Sequence, residues 1–195
     1  MTTTHHRTST TNLGRDLALI AVFAAFIAVC ALLPAVPVGP AAVPITLQTL
    51  AIYTTALILG GKRAAFAVIL YLVAGLLGLP IFARGGAGFG TIASPSFGYL
   101  LGFVPGAFIA GYLSHLALRL YGNKKSQFIH QLGAVLAGFA VIQIFGIAGM
   151  MINANLSLQA AALAATLYIP GDLIKCALAI VVALAVHRAF PALSR

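Results

Sequence analysis

Long apolar stretches alternate with short polar breaks along almost the whole chain. A helix needs about 20 mostly apolar residues to cross a bilayer. Six stretches are near that length: 16–33, 45–61, 63–80, 96–118, 127–152 and 160–187. Only Gly60-Gly61-Lys62-Arg63 separates the second from the third, which predicts a tight helical hairpin. The pattern predicts an all-α, polytopic integral membrane protein with six transmembrane helices in a single membrane domain, 15–190. Residues 1–14, rich in Thr, Ser and His, read as a disordered cytoplasmic tail in which His5-His6 is a solvated pair; residues 191–195 form a second short tail.

The polar breaks carry the charge. Placing the N-terminus in the cytoplasm gathers Arg7, Arg15, Lys62, Arg63, Arg119, Lys124, Lys125, Arg188 and Arg195 on that side. Only Arg84 falls on the other side, and Lys175 lies within a helix. That nine-to-one bias follows the positive-inside rule and predicts that both termini are cytoplasmic. Three connections then face outward. Pro34 to Pro44 contains Pro34, Pro37, Pro40 and Pro44 and is expected to be extended and stiff. Pro80 to Pro95 is too long for a minimal turn and too apolar for a solvated one, so it is expected to fold back over the protein as a binding loop or lid. The third, Asn153 to Gln159, is short and polar.

Composition narrows the class further. The 195 residues are 62% hydrophobic and 7% charged, which sets the chain apart from ordinary soluble domains. The net charge of +9 sits at segment ends without interleaved aromatics, so no nucleic-acid partner is expected. Cys30 and Cys176 both lie in apolar segments, as buried thiols do. The first apolar run is longer than a signal-peptide core and no small-residue cleavage site follows it, so no cleavable leader is expected. Gly60-Gly61-Lys62 lacks the upstream glycine and following Ser or Thr of a P-loop. Gly85, Gly86, Gly88 and Gly90 do not make a dinucleotide fingerprint. With no HExxH, no Cys–His cluster and no carboxylate pair for acid–base work, the chain is expected not to be an enzyme, to hold no metal or cofactor, and not to hydrolyse ATP.

One apolar segment contains an exception. Tyr168-Ile-Pro-Gly-Asp-Leu-Ile-Lys175 places Asp172, one of only two acidic residues in the chain, three positions before Lys175. On a helix both fall on one face. A charge near the middle of a membrane helix costs about 2.5–3.5 kcal/mol, so such groups face a partner, a cavity or a ligand. Two readings stand: a structural ion pair, or one wall of a solute site. Arg84 is either an interfacial anchor or the partner of a ligand carboxylate, with Gly85, Gly86 and Gly88 letting backbone N–H groups approach the ligand. Gln48 either bonds a neighbouring helix or joins the site. Phe82, Phe89 and Tyr168 are available for apolar contact. Together these groups suit a small amphipathic solute with a carboxylate and a hydrogen-bonding head. On the first helix, Ala21, Ala24, Ala25, Ala28 and Ala31 form a small-residue pattern that permits close approach of another helix, within this protein or outside it.

Several motifs in order resemble one family. They are Val-Pro-Ile-Thr-Leu-Gln-Thr-Leu after the proline-rich connection, Gly-Leu-Pro-Ile-Phe followed by Gly-Gly-Ala-Gly, Pro-Ser-Phe-Gly-Tyr-Leu-Leu-Gly-Phe, and Tyr-Ile-Pro-Gly-Asp-Leu-Ile-Lys. The chain is similar to the BioY family, the biotin-specific S components of energy-coupling factor (ECF) transporters, over nearly all of residues 15–190. The resemblance implies a multi-pass protein of the bacterial inner membrane that captures biotin from outside. It would deliver biotin with a coupling transmembrane protein and two ATPase subunits. It also implies that Asp172 and Lys175 take part in biotin binding, that the glycine-rich loop touches ligand, and that Ala21, Ala25 and Ala28 dock the coupling protein. Some relatives place an asparagine among these glycines, where this chain has Ala87. The rivals are a self-sufficient secondary transporter of a small carboxylate, an S component for another vitamin, and a structural membrane protein without a ligand.

Overall fold

In the computed structural model of the chain, the structure describes residues 13–38, 43–120 and 123–190. Most of the expected N-terminal tail, with His5 and His6, and the tail at 191–195 lie outside these. Seven α-helices form among the described residues: α1 (Leu13–Leu32), α2 (Gln48–Leu59), α3 (Gly61–Leu76), α4 (Phe97–Leu120), α5 (Lys124–Asn153), α6 (Leu158–Thr166) and α7 (Ile169–Ala189). Of these, α1, α4, α5 and α7 are long and apolar enough to cross a membrane. Their outer faces leave Val22, Val29, Ile144, Ile174 and Val181 more than half exposed, as lipid-facing positions are.

Helix α2 is the centre of the bundle. Its residues from Ala51 to Leu59 are all buried, and it packs against α1, α3, α4, α5 and α7. Buried on every side over these residues, it presents no face to solvent or lipid. Gly60 (φ +77°) ends α2 and turns the chain directly into α3, so the expected tight hairpin forms. A Cβ on Gly60 would stand 2.9 Å from the His115 ring. The closest helix pair is α4 with α5, where Gly98 faces the Phe145 carbonyl and Gly149, and Gly106 faces Ile142 and Gly138. Side chains larger than hydrogen would force these backbones apart.

The first outward connection is extended over its described residues, as expected, and three helix bounds are corrected. Val36–Val38 (β1) and Val43–Ile45 (β2) pair as an antiparallel ribbon with Pro37 opposite Pro44. Neither proline has an N–H to donate. They share the pair that makes no cross-strand bond, and the valines and isoleucine on either side occupy the bonded pairs. For the same reason the second apolar run begins as strand at 45, and its helix only at Gln48. The run 160–187 is not one helix but α6 and α7, broken at Leu167 and Tyr168, with Pro170 in the first turn of α7. A proline suits a helix start and cannot continue the ladder of a preceding one. The third run ends as helix at Leu76, not at residue 80.

Candidate ligand-binding site

The N-terminal ends of α2 and α7 meet, and the chemistry lies where they do. Asp172 sits in the first turn of α7, where the helix dipole favours a negative charge, and Lys175 follows on the same face. Their side chains are 9% and 10% exposed, with Nζ 3.0 Å from Oδ1. Thr49, in the first turn of α2, completes the group. Its hydroxyl donates to Asp172 Oδ1 at 2.9 Å and accepts from Lys175 Nζ at 3.2 Å. Asp172 Oδ2 and the third ammonium proton have no hydrogen bond among the described residues. The network is therefore an ion pair with one acceptor and one donor left over.

Asp172, Lys175 and Thr49 line a cavity of about 630 Å³, within the ordinary range for small-molecule sites. Its walls mix apolar residues, Pro44, Ile45, Phe82, Leu100 and Phe103, with polar ones that include Thr46, Thr91 and Ser96. Strand β2 covers one side and is fastened to the start of α7, because the Tyr168 hydroxyl donates to the Val43 carbonyl at 3.2 Å. The Tyr168 ring packs edge-on to Tyr99 at 6.0 Å.

Gln48 lines the cavity and is buried. Its amide donates to the Tyr71 hydroxyl at 2.8 Å, which in turn donates to the Ile81 carbonyl at 3.2 Å. The side chain therefore joins two helices and lines the cavity. Phe82 is buried, packs edge-on to Tyr71 at 5.5 Å, and lies so close over Gly75 that no Cβ would fit there. The glycine-rich loop then folds back: Phe82 N–H donates to the Gly86 carbonyl at 3.0 Å and Gly88 N–H to the Gly75 carbonyl at 2.7 Å. Arg84 lines the cavity with φ +60° and makes no ion pair or hydrogen bond among the described residues. A left-handed non-glycine residue costs about 1–2 kcal/mol, so the loop holds Arg84 in place against its own preference. Gly86 lines the cavity, whereas Gly85 and Gly88 do not. Those two supply positive φ (+74° and +73°) for the turns. Phe89 is 66% exposed and lies outside the lining. On α1, Ala21 and Ala25 are exposed and Ala28 is half-buried, while Ala24 and Ala31 pack into the core.

Thr49 and Tyr99 line the cavity as well, beyond the residues expected from the sequence. Thr49 follows Gln48 inside an otherwise apolar helix start, which is a usable signal; Tyr99 is buried with its hydroxyl unpartnered among the described residues and lines the cavity. The bridge from Thr49 to Asp172 spans 123 positions, and no local pattern announces it.

The model of the BioY family matches residues 2–192. The biotin transporter BioY of Rhizobium etli is 37% identical over 183 residues, covering 92% of this chain and 96% of that protein. The biotin transporter BioY of Rhodobacter capsulatus is 35% identical over 83% of this chain and 87% of its own length. A crystal structure of the S-component for biotin from an ECF-type ABC transporter superimposes with a TM-score of 0.84 at 27% identity, covering 96% of this chain and 99% of that one.

Proposed function

This chain belongs to the BioY family, and from that premise we propose that it is the biotin-capturing subunit of an ECF-type importer, a multi-pass protein of the bacterial inner membrane. It binds biotin from the outer side and passes it inward with a coupling transmembrane protein and two ATPase subunits. ATP hydrolysis resides in those partners, and this chain contributes recognition rather than catalysis. Six crossings with both termini cytoplasmic fit the distribution of basic residues. In that reading α2 and α3, at 12 and 16 residues, span roughly 18 and 24 Å and cross with their adjoining loops.

The observation that carries the reading is the Thr49–Asp172–Lys175 network beside the 630 Å³ cavity. The ureido ring of biotin presents N–H donors beside a carbonyl acceptor, the complement of the spare Asp172 oxygen and the spare Lys175 proton. The thioether ring and aliphatic chain lie against Phe82, Leu100 and Phe103. The carboxylate is met by Arg84, with the backbone at Gly86 alongside; Gly85 and Gly88 shape that loop, and Gln48 and Tyr168 hold the neighbouring walls. Ala21, Ala25 and Ala28 form the surface for the coupling protein. Asp172 is tied to both a cation and a hydroxyl, which favours ligand recognition over the proton-carrying role a secondary transporter needs. Isothermal titration of the purified protein against a vitamin panel tests the proposal. Biotin and desthiobiotin, which keep the ureido group, should bind, and an analogue without it should not. Equal binding of the ureido-free analogue refutes it.

A further inference from the structure

At the far end of α2 from this cavity a second groove runs between α1, α3 and α4, with a volume of about 1020 Å³. Leu17, Ile20, Phe66, Ile69 and Val73 make its apolar lane. Its mouth is polar and cationic: Lys62, Arg63 and Arg119 stand there with Asp16. Arg63 is engaged by Asp16 at 3.0 Å, whereas Lys62 and Arg119 form no ion pair among the described residues. Three cations against one carboxylate leave the mouth with a net charge of +2. Helix α3 also begins there without a side-chain cap, which adds to the positive potential.

We propose that this groove seats an anionic phospholipid of the surrounding bilayer, its phosphate on Lys62 and Arg119 and one acyl chain along the apolar lane. The dimensions support it. From Lys62 to Val73 helix α3 rises roughly 16 Å, about half of a 30 Å hydrocarbon core, which is the depth of one leaflet. A free phosphate would use only the mouth and leave the lane uncovered; a zwitterionic lipid would fill the lane but bring its own ammonium group against the two cations at the mouth. Basic pockets between membrane helices hold anionic headgroups on these terms. The proposal needs the membrane setting but not the identity of the transported solute, so biotin binding and lipid binding fail independently.

The test is native mass spectrometry of the full chain in mild detergent, titrated with phosphatidylglycerol and phosphatidylcholine of matched acyl chains. Two unpaired cations predict a preference for phosphatidylglycerol of about thirtyfold, or about 2 kcal/mol. Lys62→Gln with Arg119→Gln should reduce that preference to within about threefold while leaving biotin affinity unchanged. Lys125→Gln with Arg188→Gln, basic positions outside the groove, should keep it. Equal affinity for the two lipids, an unaltered preference in the Lys62/Arg119 variant, or an equal loss in the Lys125/Arg188 variant overturns the proposal. So does displacement of the lipid by glycerol phosphate at equal concentration, or a groove filled instead by a second copy of the chain, seen as a dimer that the Lys62/Arg119 variant abolishes.

Discussion

Replacing Lys175 by methionine removes the ammonium and keeps much of the side-chain volume, so its consequences separate the stability of the ion pair from its role in recognition. Asp172 is 9% exposed in the unaltered protein, and without the ammonium the Thr49 hydroxyl is the one side-chain donor left to it among the described residues. Breaking a buried pair by deleting one partner costs about 3–5 kcal/mol, and calorimetry in detergent should register a loss of that order. Asp172→Asn combined with Lys175→Met removes the stranded charge. Exchanging a whole buried pair for neutral groups is often close to neutral, so the double variant should recover most of the stability. Binding should not recover with it. Each hydrogen bond from a ligand to a charged group contributes about 1.5–3 kcal/mol, and the spare Asp172 oxygen and Lys175 proton offer two. Their joint loss should weaken biotin by at least about 100-fold by titration calorimetry. A double variant that is stable and binds biotin within about threefold of the unaltered protein would show the pair to be purely structural and would sink the assignment of the ureido group to it.

Thr49→Val removes the hydroxyl that holds Asp172 in place at 2.9 Å. A bond to a charged acceptor of this kind contributes about 1.5–3 kcal/mol, so biotin affinity should fall at least about tenfold and return with Thr49→Ser; equal affinities for all three proteins would contradict this. Arg84→Ala should weaken biotin by roughly 10- to 150-fold but leave biotin methyl ester unchanged, and an equal loss for both would assign Arg84 to loop structure instead. Tryptophan at Ala21 and Ala25, two exposed alanines of α1, should leave biotin binding by the isolated chain intact and abolish ATP-driven uptake when the coupling partners are co-expressed; normal uptake would remove this face from the docking surface.

Hydropathy made the long helices legible to within a few residues because their length is imposed by the bilayer, whereas the interruptions depend on backbone chemistry that hydropathy does not register. Leu167, Tyr168 and Ile169 are as apolar as a helix interior, so the break between α6 and α7 passes unseen unless Pro170 is read as a helix start. The ribbon was similarly hidden. Val36-Pro37-Val38 and Val43-Pro44-Ile45 mirror one another, but prolines suggest a stiff connection before they suggest a strand pair. The central position of α2 was not legible, since its polar residues Gln48, Thr49, Thr54 and Thr55 are spread around the helix and mark no one face. At the site, Asp172 and Lys175 stood out because a charge in an apolar run is expensive. Thr49 and Tyr99 did not, because a threonine or tyrosine in a membrane helix is unremarked until the fold supplies its partner.

The floor and the cover of the cavity are held by different forces. The floor is the meeting of α2 and α7, embedded in the core through Ile52, Tyr53, Cys176 and Ile180, so moving Thr49 relative to Asp172 would require unpacking the bundle. The cover is β2 and the glycine-rich loop, and its fastenings are individual hydrogen bonds: Tyr168 to the Val43 carbonyl at 3.2 Å, Asn153 to the carbonyls of Ile92 and Ser94 at 2.7 and 2.8 Å, and Gly88 N–H to the Gly75 carbonyl at 2.7 Å. Each contributes about 0.5–1.5 kcal/mol net, and water can replace it at the membrane surface. Lifting the cover therefore costs far less than shifting the floor. On the proposed function, a ligand enters and leaves past β2 and Arg84 while Thr49, Asp172 and Lys175 stay bonded to one another.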